Sequence, residues 1–279
     1  MIISIASGKG GTGKTTVAVN LALSLGADIQ YFDCDVEEPN GHLFMNPEWK
    51  GHHAFSVSIP DVDEPTCSFC GKCGEICEYH AILPIKDHVL VFPELCHSCG
   101  GCWLVCPEGA ISKKEREIGV IEEGVRDGVE FIHGKLNIGE VLAPPLIKAV
   151  KSAAKESHTV IIDAPPGTSC PVIEAVNGSD YIILVTEPTP FGLNDLKLAV
   201  EMVRLLKMEF GVIVNKAGIG NDDVYHYCEE ENIPVLMKIP NDRKIAEAYS
   251  KGSMIIDIYP EYRETFTELY DTIVKATTS

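Results

Sequence analysis

A glycine-rich octapeptide near the start of the sequence limits the possible folds more than any other feature. It fits the pattern G-x-x-x-x-G-K-[ST] and consists of Gly8, Lys9, Gly10, Gly11, Thr12, Gly13, Lys14 and Thr15. The apolar run Ile2–Ala6 before it predicts a buried strand, and Thr15–Leu25 after it predicts a helix. A loop in this position can close its N–H groups around phosphate oxygens. The pattern therefore predicts a nucleotide site; the alternative is a glycine-rich turn.

The last residues of the loop have specific expected roles. The Lys14 ammonium group is expected to reach the β- and γ-phosphates, and the Thr15 hydroxyl to coordinate Mg²⁺. Thr16, the next residue of the predicted helix, is included in the nucleotide-binding set.

Strands and helices alternate over most of the remaining sequence. Apolar runs of strand length end at polar turns in Asp28–Phe32, Thr159–Ile162, Tyr181–Val185, Val212–Val214 and Val235–Ile239. Helices are expected over Leu193–Lys207, near Arg243–Lys251 and around Tyr262–Tyr270. This alternation predicts an α/β fold, a mostly parallel P-loop NTPase sheet with helices on both faces.

The alternation stops between Asp61 and Ser112. This stretch has eight acidic and two basic residues and holds eight of the eleven cysteines of the chain. We interpret residues 61–112 as a small α+β module inserted into a discontinuous ATPase domain of residues 1–60 and 113–279. Pro60, Pro65 and the charged Lys113–Glu117 run are the expected joints.

The inserted stretch contains an internal repeat with an offset of 29 residues. The cysteine run C-x₂-C-x₂-C-x₃-C occurs twice, as Cys67, Cys70, Cys73 and Cys77 and as Cys96, Cys99, Cys102 and Cys106. Two such runs are typical of bacterial ferredoxins, in which the fourth cysteine ligates the other cluster. We therefore assign one [4Fe–4S] cluster to Cys67, Cys70, Cys73 and Cys106, and a second to Cys96, Cys99, Cys102 and Cys77. Zinc and disulfides are the alternatives, although zinc sites more often use two pairs of ligands.

The phosphate loop also resembles the deviant Walker A motif of the MinD/Mrp class of ATPases, which includes the nitrogenase iron protein. The pattern of that class is K-G-G-x-G-K-[ST], and Lys9–Thr15 matches it. The resemblance implies ATP hydrolysis and an ATP-dependent homodimer, in which Lys9 crosses the interface to the nucleotide of the partner. The alternative for Lys9 is a solvated loop lysine.

The same resemblance implies roles for residues at the ends of other strands. Asp35, in Tyr31-Phe32-Asp33-Cys34-Asp35, would position or activate the attacking water. Asp163 would hold Mg²⁺ through water, at the end of a strand similar to Walker B. Asn215, Pro240 and Asp242 would lie near the base, with a turn residue as the alternative for Asn215. The family match favours ATP over GTP.

Three cysteines lie outside the two runs. Cys34 is expected to point away from the neighbouring acids into the core, and Cys228 lies in an acidic helical stretch. Cys170 follows the segment that resembles switch II. It is either a small residue packed in the loop or a thiol facing a dimer partner.

Composition narrows the class of partner. The chain has 41 acidic and 23 basic residues, a formal net charge of −18, which disfavours binding to nucleic acid or to an anionic membrane. We find no secretory signal and expect a cytoplasmic protein.

As a whole the sequence resembles MinD-superfamily ATPases with an inserted ferredoxin domain. This implies nucleotide-gated electron transfer to an unidentified redox partner. One alternative is an Mrp-type carrier or scaffold that delivers clusters to an apo-protein acceptor. A second is a MinD-like positioning ATPase, which the lack of a basic amphipathic tail disfavours.

Overall fold

The computed structural model describes residues 1–278 and contains the alternating α/β order that the sequence predicts. The strands are β1 Ile2–Ala6, β2 Ile29–Asp33, β3 Glu48–Val62, β4 Ile82–Ile85, β5 His88–Val91, β6 Ile111–Arg126, β7 Val129–Leu136, β8 Thr159–Asp163, β9 Tyr181–Thr186, β10 Phe210–Ala217 and β11 Val235–Pro240. The α-helices are α1 Lys14–Leu25, α2 Gly41–Met45, α3 Lys72–Ile76, α4 Gly101–Leu104, α5 Ala143–Lys151, α6 Cys170–Val176, α7 Pro190–Leu205, α8 Asp223–Glu230, α9 Arg243–Tyr249, α10 Ile255–Ile258 and α11 Tyr262–Thr278. Within this part of the chain, no helix is both long and apolar enough to cross a membrane.

Nine strands form one sheet in the order β11-β10-β9-β1-β8-β2-β7-β6-β3. The seven strands from β11 to β7 are parallel, and β6 and β3 are antiparallel additions at one edge. Because the parallel strands all end at the same edge, the loops after β1, β2, β8 and β10 lie together there. This confirms the predicted mostly parallel P-loop NTPase fold.

Alternate side chains of the parallel strands bury two separate cores. On one face Phe32, Ile162 and Leu184 pack with α5, α6 and α7. On the other face Tyr31, Ile161 and Ile183 pack with α1, α10 and α11. Burial on both faces explains why these strands read as continuous apolar runs in the sequence.

The two antiparallel edge strands extend beyond the sheet as a ribbon. Residues 56–62 of β3 pair with residues 111–117 of β6, whereas β7 pairs with β6 only from Gly119 onward. The chain between Val62 and Ile111 contains α3, α4 and the β4–β5 hairpin, and we call residues 63–110 the tip module.

Of the expected joints, Pro65 lies in a turn after β3, and the other two lie within regular strands. Pro60 lies within β3, paired with Lys113, and the Lys113–Glu117 run lies within β6. The sequence analysis missed the β6 half of the ribbon because residues 112–117 are all polar or charged, whereas Phe55–Ile59 on β3 does alternate between apolar and polar residues. The elements α2, β7 and α5 were also not predicted from the sequence.

Candidate functional site

The phosphate loop lies between β1 and α1 and packs against the ends of two other elements. Gly13 has a positive φ of 96°, and a Cβ atom there would collide with the side-chain amide of Asn215. The Asn215 Nδ2 donates to the Thr12 carbonyl oxygen at 2.8 Å. At the start of the loop, a Cβ at Gly8 would collide with the backbone carbonyl of Asp195 in α7. The loop therefore requires glycine at both positions.

Buried polar atoms without partners surround the expected phosphate and Mg²⁺ positions. Lys14 is 7% exposed and lies near Asp163 at the end of β8. The Thr12 Oγ1 and the Asp163 Oδ1 are buried, and neither has a hydrogen-bond partner within residues 1–278. The Asp163 Oδ2 accepts from the Tyr31 hydroxyl at 3.1 Å. Orphaned oxygens beside a buried ammonium group fit a site built for an anion and its cation.

Carboxyl groups after β2 and β8 have raised pKa values. Burial raises the pKa of Asp163, and Lys14 partly opposes this effect. Burial and the neighbouring Asp163 carboxyl raise the pKa of Asp33 well above its ordinary value. Burial raises the pKa of Asp35 to about 6, with Lys14 again opposing the shift. Bound Mg²⁺ would favour the ionised carboxylates, because its positive charge stabilises them in place of the water that burial excludes.

Asp33 has a structural role that the sequence reasoning missed. Its Oδ1 accepts from the Asp35 N–H, and its Oδ2 accepts from the N–H groups of Asn40 and Gly41 at 3.0 and 2.8 Å. It therefore fixes the segment that carries Asp35. The D-x-D pattern was the available signal, but it did not show which acid holds the loop and which one faces the nucleotide.

Lys9 forms ion pairs within its own chain in this structure. Its Nζ lies 3.9 Å from both the Glu187 and the Asp195 carboxylates, and its side chain is 32% exposed. Glu187 also pairs with Lys216. Both contacts of Lys9 are long, and the Lys9 side chain remains partly in solvent.

A cleft of about 310 Å³ adjoins the loop. The predicted base-contact residues Asn215, Pro240 and Asp242 line it together with Thr16. The sequence reasoning did not identify Tyr249, which lines the same cleft from α9. The Asp242 carboxylate accepts from the Lys244 N–H and the Tyr259 hydroxyl, so it caps the N-terminus of α9.

The tip module contains two cavities, each lined by four cysteines. The first, here called the Cys67 cavity, is lined by Cys67, Cys70, Cys73 and Cys106. The second, the Cys96 cavity, is lined by Cys96, Cys99, Cys102 and Cys77. All eight thiols are free. Within residues 1–278, no three His, Cys, Asp or Glu side chains converge closely enough to hold a single metal ion. The four cysteines of each set instead surround a cavity.

The two halves of the tip module repeat in backbone conformation with the same offset of 29 residues. Positive φ angles occur at Phe69, Gly71 and His80 and again at Ser98, Gly100 and Gly109. The N–H groups of Phe69 and Ser98 point at the Sγ atoms of Cys67 and Cys96, at 3.4 and 3.5 Å. The halves also exchange hydrogen bonds, from Asp63 to Ala110 and from Phe92 to Ala81. A pseudo-twofold module with crossed fourth cysteines fits two equivalent clusters.

Helix α2 connects the nucleotide site to the end of β6 that lies farthest from the ribbon. Its first residue, Gly41, is held by Asp33, and its Phe44 ring stacks on Tyr249 with centroids 4.6 Å apart. The carbonyl oxygens of Phe44 and Met45 accept from the Arg126 guanidinium at 2.6 and 3.1 Å. Arg126 ends β6 inside the sheet, at the opposite end of the strand from the ribbon. One short helix therefore contacts the nucleotide cleft, the Asp33 loop and the sheet end of β6.

The cysteines outside the runs differ in exposure. Cys34 is fully buried in the core, as its alternation with the acids predicts, and Cys228 is also buried there. Cys170 is exposed and is the first residue of α6, so the interpretation of a residue packed in its loop is wrong.

Comparisons with known proteins agree with this geometry. The family model described as the CobQ/CobB/MinD/ParA nucleotide binding domain matches residues 3–255. Two uncharacterized proteins of Methanocaldococcus jannaschii, MJ0579 and MJ0578, are 30% and 32% identical to the chain. The matches cover 98% and 97% of this chain and 98% and 95% of those proteins. An iron-sulfur cluster carrier protein of Pyrococcus horikoshii is 26% identical over 98% of this chain and 85% of its own length.

A solved structure shows a similar fold. The septum site-determining protein MinD from Pyrococcus horikoshii, complexed with Mg-ADP, superposes with a TM-score of 0.60 at 22% identity. The match covers 98% of this chain and 95% of that one.

Proposed function

Because the chain belongs to the CobQ/CobB/MinD/ParA nucleotide-binding family and is an ATPase, we propose that its ATP cycle gates electron transfer through two [4Fe–4S] clusters in the tip module. The observation that carries this proposal is the contact between the Asp35 segment and the sheet edge where the ribbon begins: the Leu136 N–H donates to the Val36 carbonyl oxygen, and Leu136 pairs with Gly119 of β6. A nucleotide-sensing element in this position can change the environment of the clusters.

The nucleotide site supplies the parts that phosphoryl transfer needs. Lys14 would neutralise charge on the β- and γ-phosphates, and Thr15 and Asp163 would hold Mg²⁺, Asp163 through water. Asp35 would orient the attacking water. Asn215, Pro240 and Asp242 line the cleft expected to hold the base.

Homodimer formation is part of the proposal. Lys9 would leave Glu187 and Asp195 and reach the nucleotide of the partner subunit, as in the resembled class. Both ion pairs are long and partly exposed, so breaking them costs little. ATP in the partner subunit supplies a more strongly charged site for the same ammonium group.

The tip module would hold one cluster in the Cys67 cavity and one in the Cys96 cavity. Bound there, the clusters would store and pass single electrons. The residues of the chain provide four thiolates per cavity and backbone N–H groups aimed at sulfur. Zinc is disfavoured, since a zinc ion needs thiolates about 2.3 Å from one point.

The direct test is a redox titration of anaerobically purified protein, monitored by EPR, with and without a non-hydrolysable ATP analogue. Allosteric coupling energies are typically 1–3 kcal/mol, which corresponds to a shift of about 40–130 mV in a one-electron potential. Reduction should change the affinity for ATP by the same factor, because coupling is reciprocal. Potentials that are equal with and without the analogue would refute gating.

A second candidate is a cluster carrier, because relatives 26% identical to the chain are named iron-sulfur cluster carrier proteins. Clusters with four thiolate ligands are held firmly, which disfavours their release. Transfer of iron and sulfide to an apo-protein, stimulated by ATP, would support the carrier. ATP-dependent reduction of an acceptor with the clusters retained would support the redox function. A MinD-like positioning role has only the shared fold in its favour.

A further inference from the structure

The outer face of the β4–β5 hairpin exposes apolar side chains. Leu83, Ile85 and Leu90 are each 45% exposed. Leu83 pairs with Leu90 across the hairpin, and Ile85 lies on the same face because strand side chains alternate. We call these three residues the hairpin face.

The fold of the tip module does not require apolar residues on this face. The pseudo-twofold repeat relates β4 to residues 111–114 of β6 and β5 to residues 59–62 of β3, and the two strand pairs have the same register. On the ribbon, the positions that correspond to the hairpin face are Ser112, Lys114 and Asp61, which are all polar and exposed. Since the same backbone arrangement accepts polar residues there, folding does not explain the apolar hairpin face.

The opposite face of the hairpin forms a wall of both cysteine cavities. Pro84 and Val89 line the Cys67 cavity, and Ile82 lines the Cys96 cavity. The hairpin is a single layer of strands, so a molecule docked on the hairpin face would lie one layer away from either cavity. This placement suits a surface that exchanges electrons with clusters in the two cavities.

The charged residues around the hairpin are mostly acidic. Glu64 accepts from the Val89 N–H beside β5, Asp87 lies in the β4–β5 turn, and Glu94 follows β5. Lys86, also in the turn, is their basic neighbour, and all four charged side chains are exposed. The tip module as a whole has seven acidic and two basic residues, in a chain of net charge −18. An apolar face with an acidic rim attracts a partner with a basic rim and disfavours a second copy of this acidic chain.

We propose that the hairpin face is the docking surface for a basic electron-transfer protein, which binds through an apolar patch surrounded by lysine and arginine side chains. This inference rests on the proposed function, because the exchange needs clusters in the tip module. In each exchange one cluster loses the single electron that the partner gains, or gains the one that the partner loses. Three partly exposed side chains make a small contact, which is typical of transient redox encounters.

The test measures the second-order rate constant for electron transfer from the reduced, cluster-loaded protein to a probe. A lysine-rich c-type cytochrome is the basic probe, and ferricyanide is a small acceptor that needs no docking surface. In Leu83→Ser/Leu90→Asn the rate constant with the cytochrome should fall about tenfold, because burial of the exposed parts of two leucine side chains contributes about that factor. The rate with ferricyanide and both cluster potentials should stay unchanged. The variant should fold, since Ser112 and Asp61 occupy the matching positions of the ribbon.

Three controls separate the apolar contribution from the charged one. Leu104→Ser removes an apolar side chain that is 80% exposed on α4, outside the hairpin, and should leave the cytochrome rate unchanged. Asp87→Lys reverses a charge on the rim and should slow the cytochrome reaction most at low ionic strength. A cytochrome with acetylated lysines should react slowly with the wild-type protein, because acetylation removes the positive charges.

Several results would overturn the docking surface. Equal cytochrome rates for the wild type and Leu83→Ser/Leu90→Asn would do so, as would a wild type that reduces ferricyanide but not the cytochrome. A nucleotide-free dimer in light scattering that is lost in this variant would show that a second copy occupies the face. Binding to vesicles of phosphatidylglycerol and phosphatidylcholine that is lost in the variant would show that a membrane does.

The outcomes also separate this inference from the proposed function. A purified protein that binds no iron would overturn both. Cluster potentials that do not respond to ATP, together with a cytochrome rate that depends on the hairpin face, would overturn the nucleotide gating and support the docking surface.

Discussion

Replacing Phe44 with leucine should weaken the effect of ATP on the cluster potentials while leaving both sites intact. Phe44 does not line the nucleotide cleft, but its ring stacks on Tyr249, which does. Its carbonyl oxygen accepts from Arg126 at the sheet end of β6, the strand whose other end forms half of the ribbon. Leucine keeps an apolar side chain at this buried position and removes the ring contact.

The magnitude follows from the contact that is lost. An aromatic pair contributes about 0.5–1.5 kcal/mol beyond the area it buries. If α2 carries the coupling, the ATP-induced shift should decrease by about 20–65 mV, since a tenfold change is 59 mV for one electron. The loss of overall stability should stay near 1.5 kcal/mol, as for other volume-conserving apolar changes.

The assay is the EPR redox titration at saturating nucleotide analogue, with nucleotide affinity and iron content measured on the same sample. Leu43→Ala is the matched control, because Leu43 lies on the same helix and is 61% exposed. The control should keep the wild-type shift. A Phe44→Leu protein with full iron content and the full wild-type shift would refute the α2 route.

Three further predictions test the separate parts. Lys14→Ala should abolish ATP binding, measured by calorimetry. Lys9→Ala should still bind ATP but should lose most ATP hydrolysis and the ATP-dependent dimerisation measured by light scattering. A Lys9→Ala protein that dimerises normally would contradict the role of Lys9 at the nucleotide of the partner subunit. Because burial raises the pKa of Asp35 to about 6, and only its ionised form orients water, kcat/KM should fall about tenfold per unit below pH 6. This step should be absent from the residual activity of Asp35→Asn. The purified protein should contain about eight iron atoms per chain. Cys106→Ala should damage the cluster in the Cys67 cavity rather than the one in the Cys96 cavity. Zinc in place of iron and sulfide would refute the assignment.

The sequence predicted best those features whose chemistry depends on spacing along the chain. The phosphate loop needs glycines and a lysine at fixed positions before a helix, and the cysteine runs need short intervals to surround one cavity. Even the crossed placement of Cys77 and Cys106 follows from the repeat, because each run supplies only three neighbours to its own cavity.

Features that depend on contacts between distant residues could not be predicted in this way. The stacking of Phe44 on Tyr249 joins residues about 200 positions apart, and neither belongs to a motif. The ion pair between Arg116 and Glu140 could not be predicted from the sequence for the same reason. On the β6 side the ribbon was missed because residues 112–117 are all polar or charged, whereas the alternation from Phe55 to Ile59 on β3 was an available signal.

The ribbon determines how the two sites can influence each other. The tip module leaves the sheet through β3 and returns through β6, and both strands continue into the sheet edge next to β7. A movement at the nucleotide cleft can reach the ribbon along β6, because α2 holds Arg126, at the opposite end of that strand, by two carbonyl oxygens. Charge at the β7–α5 loop can reach it separately, through Glu140 and Arg116. The first contact would act on the position of the ribbon and the second on its charge, so a nucleotide cycle that shifts either one would change clusters bound in the tip module without contacting them directly.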